Sequence, residues 1–175
     1  MATQSDDTDR VRNYLLSQGE KYSFPELWVR ATQARLALIK AIEGVNGEQA
    51  SFRPDATEWS ILEVLDHLVT SSARVASLVE CLANRRARAA EPVESPPEGP
   101  LLTIEEARDV LLRDSVAWGA LTDRLPELPS FEVRTRHPAF GRLHARAWYL
   151  FQRVHDLDHA QQIEKNKQAQ GYPSS

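Results

Sequence analysis

Glycine and proline cluster in the connections of this chain and are nearly absent from the long segments between them. Four of these segments, of about 19 to 25 residues, carry apolar side chains at helical spacing: residues 25–43, 60–84, 103–125 and 145–167. A shorter, weakly amphipathic helix is predicted over residues 6–18. Because four long helices with no convincing sheet must bury their apolar stripes against one another, we expect an all-α fold, a four-helix bundle.

Sequence signals also predict where these helices begin. Ser60 is followed three residues later by Glu63, and Thr103 is followed by Glu106 in the same way. In such a capping box each side chain accepts a hydrogen bond from the other residue's backbone amide, which satisfies two amides of the first turn. Pro25 suits a first helical turn, because the amide that proline lacks would have no partner there.

The connection between the second and third long helices, residues 86–101, is polar and rich in proline. Links between antiparallel helices usually have about two to eight residues, and this one is about twice as long. At roughly 3.3 Å per residue it can return along a whole helix. We therefore expect a crossover that leaves the two helices parallel, in an up-down-down-up topology. The next connection, residues 126–143, is irregular, with at most an extended piece at residues 131–135.

Length and charge limit the class of protein. A chain of 175 residues suits one domain, residues 1–175, with a core over about 25–167. The net charge of −4 gives no reason to expect nucleic acid as a partner. A single cysteine, Cys81, excludes an intramolecular disulfide and suits a reducing compartment. Since no signal peptide or membrane-spanning apolar run is found, we expect a soluble cytoplasmic protein without a membrane partner.

The last helix carries two histidines one turn apart, His155 and His159. A helical wheel places both in the sector of Trp148, Phe151 and Ile163, so the pair should face the bundle interior. Imidazoles four residues apart are neighbours and can bind one ion. Two buried histidines can equally be satisfied by ordinary hydrogen bonds, and the spacing alone does not separate these interpretations.

A third histidine, His67, lies in the middle of the second long helix, at the margin of its apolar face. Polar rings seldom enter a core unless they are hydrogen-bonded or coordinated. Three neutral imidazoles leave coordination positions open around an ion, which is typical of a catalytic metal that activates water or a thiol. Glu63, one turn before His67, is placed to act as its partner or as a general base.

Several of these elements, in this order, resemble the DinB-like/YfiT-like superfamily of small bacterial proteins. The matching elements are Trp59-Ser60 before the second long helix, His67 within it, the turn from His137-Pro138 through Gly141 to Leu143, and the pair His155 and His159. The resemblance covers about residues 25–165. Each motif is weak alone, and the ordered set is more specific.

The resemblance implies a four-helix bundle with up-down-down-up topology. It also implies that His67, His155 and His159 hold a divalent ion, which is nickel or zinc in various members. Members of known activity use low-molecular-weight thiols as co-substrates, and others are regarded as metal-dependent hydrolases. The implied function is a metal-dependent enzyme acting on a small molecule, with thiol S-transfer and hydrolysis both open.

A second interpretation is a non-catalytic binding or stress-response protein whose histidines are structural. His137, in the turn before a proline, is expected to be structural, and whether it or His144 lines the site is left open. Relatives often have a small capping residue where this chain has His144, a poorer N-cap, so we expect that histidine to be exposed or used elsewhere. Apolar surface on Trp28 and the N-terminal helix favours a homodimer.

Overall fold

The four long helices predicted from the sequence are present in the computed structural model, which describes residues 4–90 and 102–174. The elements are α1 Gln4–Lys21, α2 Phe24–Ala41, α3 Gly47–Ser51, α4 Ile61–Ala83, α5 Ile104–Thr122, β1 Arg134–His137, β2 Gly141–His144 and α6 Ala145–Lys167. Both predicted capping boxes form, at the starts of α4 and α5. The all-α class of the fold is confirmed.

The contacts of α6 give the direction of two neighbouring helices. Lys167 at the end of α6 donates a hydrogen bond to the carbonyl of Ala41 at the end of α2 (3.0 Å), so these helices run parallel. Asn166, also at the end of α6, donates to the carbonyl of Trp59 just before α4 (2.7 Å). The helices α4 and α6 therefore run antiparallel.

The helices α4 and α5 run in the same direction. Ser72 in the middle of α4 donates to Asp114 in the middle of α5 (2.5 Å). Glu80, near the end of α4, faces Arg124 just after α5, with 3.7 Å between the charged atoms. Taken with the directions relative to α6, the order is up-down-down-up, as predicted. The central part of the crossover, residues 91–101, lies outside the described residues.

Two short elements were not predicted. A five-residue helix, α3, is capped by Asn46, whose side chain accepts a hydrogen bond from the amide of Gln49. The expectation of no sheet is wrong, because β1 and β2 form an antiparallel hairpin. Gly141 begins β2 with a positive φ of 68°, a backbone conformation that glycine adopts without strain. The predicted extended piece at residues 131–135 overlaps only the beginning of β1.

The helix α1 packs along α6, and a glycine permits the close approach. A Cβ atom on Gly19 would lie only 2.9 Å from the backbone nitrogen of Ala147. Trp28 is also used within the chain, since it donates to the carbonyl of Ser115 (3.4 Å) and its ring lies against Gly119. The expected homodimer stays a prediction, and much of the surface that motivated it is covered by intramolecular contacts.

The apolar core is divided into two clusters. Along α6 the first cluster extends to Phe151 and the second is reached at Ile163. Along α4 the second cluster ends at Leu68, and the first is reached at Val75. Polar side chains lie between the clusters, and we call them the polar layer: Arg35, His67, Ser71, Ser72, Asp114, Gln152, His155, Asp156 and His159. The candidate site is part of this layer.

Within the described residues, no helix is both long enough and apolar enough to cross a membrane.

Candidate metal centre

Three histidines from two helices point their ring nitrogens at one another. The Nε2 atom of His155 lies 3.0 Å from the Nε2 atom of His67 and 3.0 Å from that of His159. The potential ligand atoms of the three residues all lie within 4.8 Å of one another. The structure thus brings together the three histidines that the sequence singled out.

The helical framework explains this convergence. His155 and His159 are one turn apart on α6, so their rings project from the same face. Because α4 runs antiparallel to α6, its His67 lies at the level of that pair, with ring centroids 5.0 Å from His155 and 5.1 Å from His159. A bundle can therefore assemble the site from residues that are 88 positions apart in sequence.

The spacing of the nitrogens suits one metal ion. Zinc–imidazole bonds are about 2.1 Å long, so two nitrogens on one ion lie roughly 3.0 to 3.4 Å apart at right or tetrahedral angles. The two observed separations of 3.0 Å fall in this range. Three imidazole nitrogens suit nickel, zinc, iron or cobalt alike.

The surroundings keep the three imidazoles neutral near pH 7. Burial lowers the pKa of His67 to about 4, with a further contribution from the charge of His159. Burial lowers the pKa of His155 well below its usual value, and the neighbouring histidines lower it further. Burial also lowers the pKa of His159, although its contact with Gln162 acts in the opposite direction. A neutral imidazole has the lone pair that a metal needs.

Gln162 orients one of the rings. Its Oε1 atom lies 2.8 Å from the Nδ1 atom of His159. Because an amide oxygen only accepts hydrogen bonds, Nδ1 carries the proton and Nε2 keeps its lone pair toward the cluster. A partner on the outer ring nitrogen is common among metal-bound histidines, since it fixes both the tautomer and the orientation.

Aromatic rings pack on the cluster from two sides. Trp59 stacks on His159 with an interplanar angle of 11° and meets the ring of His67 edge-on at 5.1 Å. Phe151 stacks on His155, with centroids 5.0 Å apart and an angle of 26°. These contacts restrict rotation of the imidazoles. Trp59 therefore packs against two of the candidate ligands, His67 and His159.

Glu63 is buried and takes part in the cap of α4. Its Oε2 atom accepts hydrogen bonds from the amide and the hydroxyl of Ser60 at 2.8 and 2.9 Å. Its other oxygen pairs with Arg53. The carboxylate is not among the groups that line the cavity beside the histidines. A role as general base stays a prediction, and the contacts of both oxygens favour a structural one.

The two remaining histidines differ in position. His137 lines the cavity, and its Nδ1 atom accepts from the amides of Ala139 and Phe140 at 3.1 and 3.2 Å, so it also closes the hairpin turn. The expectation that His144 would be exposed or used elsewhere is wrong. It is fully buried and is the N-cap of α6, accepting from the amide of Ala147 at 3.2 Å. Burial lowers the pKa of both histidines to about 4.

A cavity of about 560 Å³ lies beside the three histidines. One group of its lining side chains is apolar: Val75, Leu78, Phe140, Trp148 and Phe151. Within the described part of the chain, the charged residues Arg74, Arg136 and Asp158 also line it. The cavity has the size and the mixture of apolar and polar groups that small-molecule sites commonly show.

A family model described as the DinB superfamily matches residues 30–163 of the chain. The chain belongs to the DinB superfamily. The matched range contains all three histidines of the site. A relative from Bacillus subtilis (strain 168), named "Uncharacterized protein YuaE", is 27% identical over 157 residues, which cover 78% of this chain and 94% of the relative. No solved structure matches the chain significantly.

Sequence reasoning missed the residues that surround the three histidines of this DinB-superfamily chain. Gln162 lies three residues after His159 on the same helix, a spacing at which side chains meet, and this spacing is the one signal that points to it. Arg74 and Arg136 are ordinary surface types in sequence. Only the fold brings them to one cavity.

Proposed function

We propose that this chain is a metal-dependent enzyme in which His67, His155 and His159 hold a divalent ion, nickel or zinc. Bound there, the ion would act as a Lewis acid that lowers the pKa of a thiol or a water and so supplies a nucleophile for attack on a small electrophilic substrate. The observation that carries the proposal is the convergence of three neutral imidazole nitrogens beside a cavity of about 560 Å³.

The residues around the site support a catalytic rather than a closed structural ion. Three protein ligands leave at least one position for an exchangeable group, whereas structural zinc sites usually have four. The histidines line the cavity, so that position faces space for a substrate. Trp59 stacks on His159 and Phe151 stacks on His155, so aromatic rings cover one face of each imidazole.

Thiol transfer is favoured over hydrolysis by the position of the carboxylates. Hydrolysis at such a site commonly uses a general base within reach of the attacking water. Glu63 is occupied by the helix cap and Arg53. Among the described residues, Asp158 is the one carboxylate that lines the cavity, and it is exposed. A low-molecular-weight thiol therefore stands as the first candidate nucleophile, and water as the second.

The test begins with metal content. Untagged wild-type protein should contain about one equivalent of a divalent metal, and His67→Ala and His155→Ala should contain none. His144→Asn, which changes a histidine outside the site, should retain the metal. The loaded protein is then offered a panel of thiols with monobromobimane, and separately p-nitrophenyl acetate without thiol.

Metal-dependent consumption of thiol and bimane would support S-transfer. Ester hydrolysis alone would replace it with the hydrolase alternative. Metal retained without either reaction would overturn the enzymatic proposal in favour of a non-catalytic binding protein. Absence of metal from the wild type, together with no stabilisation by added nickel or zinc, would make the three histidines part of the core.

A further inference from the structure

We propose that the cavity beside the histidines binds an organic anion with an apolar body, and that Arg74 and Arg136 hold its anionic group. The proposal extends the proposed function by naming the chemical class of its small molecule. It rests on the proposed function in one respect only, namely that the cavity holds the substrate beside the metal.

The charge inside the cavity differs in sign from that of the whole chain. The chain carries a net charge of −4. Among the described residues that line the cavity, the charged side chains are two guanidinium groups and one carboxylate, Arg74 and Arg136 against Asp158. A bound divalent ion would add further positive charge. Clefts with low-dielectric walls concentrate such fields, so an anion is attracted here against the repulsion of the rest of the surface.

A group of apolar side chains also lines the cavity, and it favours a ligand with an apolar body. Val75 and Leu78 of α4, Trp148 and Phe151 of α6, and Phe140 of the hairpin turn all line the cavity. An aliphatic chain or an aromatic ring buried among these groups gains about 25 cal/mol for each Å² removed from water. A fully polar ligand, such as a free phosphate, would make no apolar contacts with these side chains.

Arg74 is placed away from His67 at a defined distance along α4. Arg74 follows His67 by seven residues on α4, so both lie on the same face, with Ser71 between them also lining the cavity. At 1.5 Å per residue the two Cα atoms are about 10 Å apart along the helix axis. A ligand bridging metal and arginine therefore needs a reactive group and an anionic group separated by roughly this length.

The hairpin holds Arg136 in the wall of the cavity. Thr135, the preceding residue on β1, donates a hydrogen bond to the carbonyl of Arg88, in the segment that follows α4. His137, the next residue, lines the cavity and fixes the turn through its bonds to the amides of Ala139 and Phe140. Both neighbours of Arg136 are thus anchored, and Arg136 and Arg74 line the same cavity. Guanidinium groups suit carboxylates because two parallel hydrogen bonds can form.

The experiment compares ligands that differ only in charge. Binding of 5-phenylpentanoate and of 5-phenylpentan-1-ol is measured by calorimetry on metal-free and zinc-loaded protein. We expect the carboxylate to bind about tenfold more tightly, a difference of about 1.4 kcal/mol. Arg74→Gln and Arg136→Gln should each reduce this preference at least threefold while leaving affinity for the alcohol unchanged. Arg113→Gln, an exposed arginine of α5, is the matched control and should change neither affinity.

The spacing is tested with thiols on cobalt-substituted protein. 6-Mercaptohexanoate should bind more tightly than 3-mercaptopropionate, with thiolate-to-cobalt absorption in both complexes, and Arg74→Gln should remove the advantage of the longer thiol. The proposal would be overturned if the wild type bound acid and alcohol with equal affinity. It would also be overturned if all three arginine variants lost carboxylate affinity to the same extent. Failure of cobalt to bind would refute the metal site instead, while the metal-free calorimetry would still decide the anion site.

Discussion

Seven side chains of the polar layer between the two apolar clusters form two groups, which we call the arginine half and the histidine half; these groups meet at α6 and differ in their contacts. The arginine half consists of Arg35, Ser72, Asp114 and Asp156. The histidine half consists of His67, His155 and His159. Asp156 directly follows His155, so adjacent positions of one helix serve both halves and face different neighbouring helices.

The arginine half is complete within the chain. Arg35 is 3% exposed and donates to Asp156 at 2.8 Å, to Asp114 at 3.1 Å and to Ser72 at 3.3 Å. Burial lowers the pKa of Arg35, but the two carboxylates together raise it above its usual value. Burial raises the pKa of Asp156, and the arginine opposes this change. Each buried charge has an opposite charge in direct contact.

The histidine half is arranged differently. Its three rings lie with their Nε2 atoms close together rather than beside groups of opposite charge. The two buried polar clusters of one layer therefore differ in their chemistry. In the arginine half, opposite charges contact one another, whereas the histidine half brings together three nitrogens of the kind that bind a cation.

The largest expected effect comes from breaking the arginine half. Arg35→Met leaves Asp156, which is 1% exposed, without its cation, and such a loss costs about 3–5 kcal/mol of unfolding free energy. Urea denaturation measures it. Arg30→Met, on the same helix with its guanidinium over the ring of Tyr22, should cost less than about 1 kcal/mol. Comparable losses in the two variants would show that the arginine half does not stabilise the fold as described.

The second largest expected effect is stabilisation by metal, which distinguishes the histidine half from the arginine half. Zinc at one hundred times its dissociation constant should stabilise the wild type by about 2.7 kcal/mol, because it binds the folded state only. His155→Ala should remove this gain and should cost less than Arg35→Met in metal-free protein. Unfolding in zinc and in EDTA gives both quantities. An equal zinc response in His155→Ala and wild type would contradict the assignment of this histidine as a ligand.

The helices and their order were predictable because each depends on local signals. Ser60 and Thr103 mark helix starts through capping boxes, and the long connection indicates the crossover. The hairpin and α3 were missed because a four-residue strand or a five-residue helix carries too little periodicity to be recognised. Such elements form because the bundle supplies contacts for them.

The convergence of the histidines was predictable for a different reason, and their surroundings were not. His155 and His159 repeat at one turn on an apolar face, a pattern that local sequence contains. Trp59 and Arg74 reach the site through tertiary packing, which leaves no mark on neighbouring residues. Glu63 shows the limit of spacing arguments. Its position one turn before His67 suggested chemistry, yet the capping box directs both carboxylate oxygens elsewhere.

A fall in pH should lower the free energy of unfolding of the metal-free protein, because the histidines of the histidine half bind protons more readily in the unfolded chain. Burial lowers the pKa of His67 to about 4, whereas the unfolded chain binds that proton near pH 6.5. The contribution of this neutral ring to the free energy of unfolding is therefore complete above about pH 6.5 and is lost as pH falls toward 4. Between pH 7.5 and pH 5 it amounts to about 2 kcal/mol, so His67→Gln should lose correspondingly less stability over that interval. Urea midpoints at both values in EDTA measure this, and identical pH dependence in variant and wild type would contradict it.

The smallest expected effect concerns a residue outside the ligand set. Gln162→Leu removes the acceptor for the Nδ1 proton of His159, and loss of such a partner should weaken metal binding about tenfold, or about 1.4 kcal/mol. Gln162→Glu keeps an acceptor and should stay within about threefold of the wild type. Gln161→Leu is the matched control, since its side chain is exposed on the same turn. Zinc affinity is measured by competition with a chelator. If the two leucine variants bind zinc equally well, helix packing alone orients His159, and the histidine half needs no hydrogen-bond partner beyond its own rings.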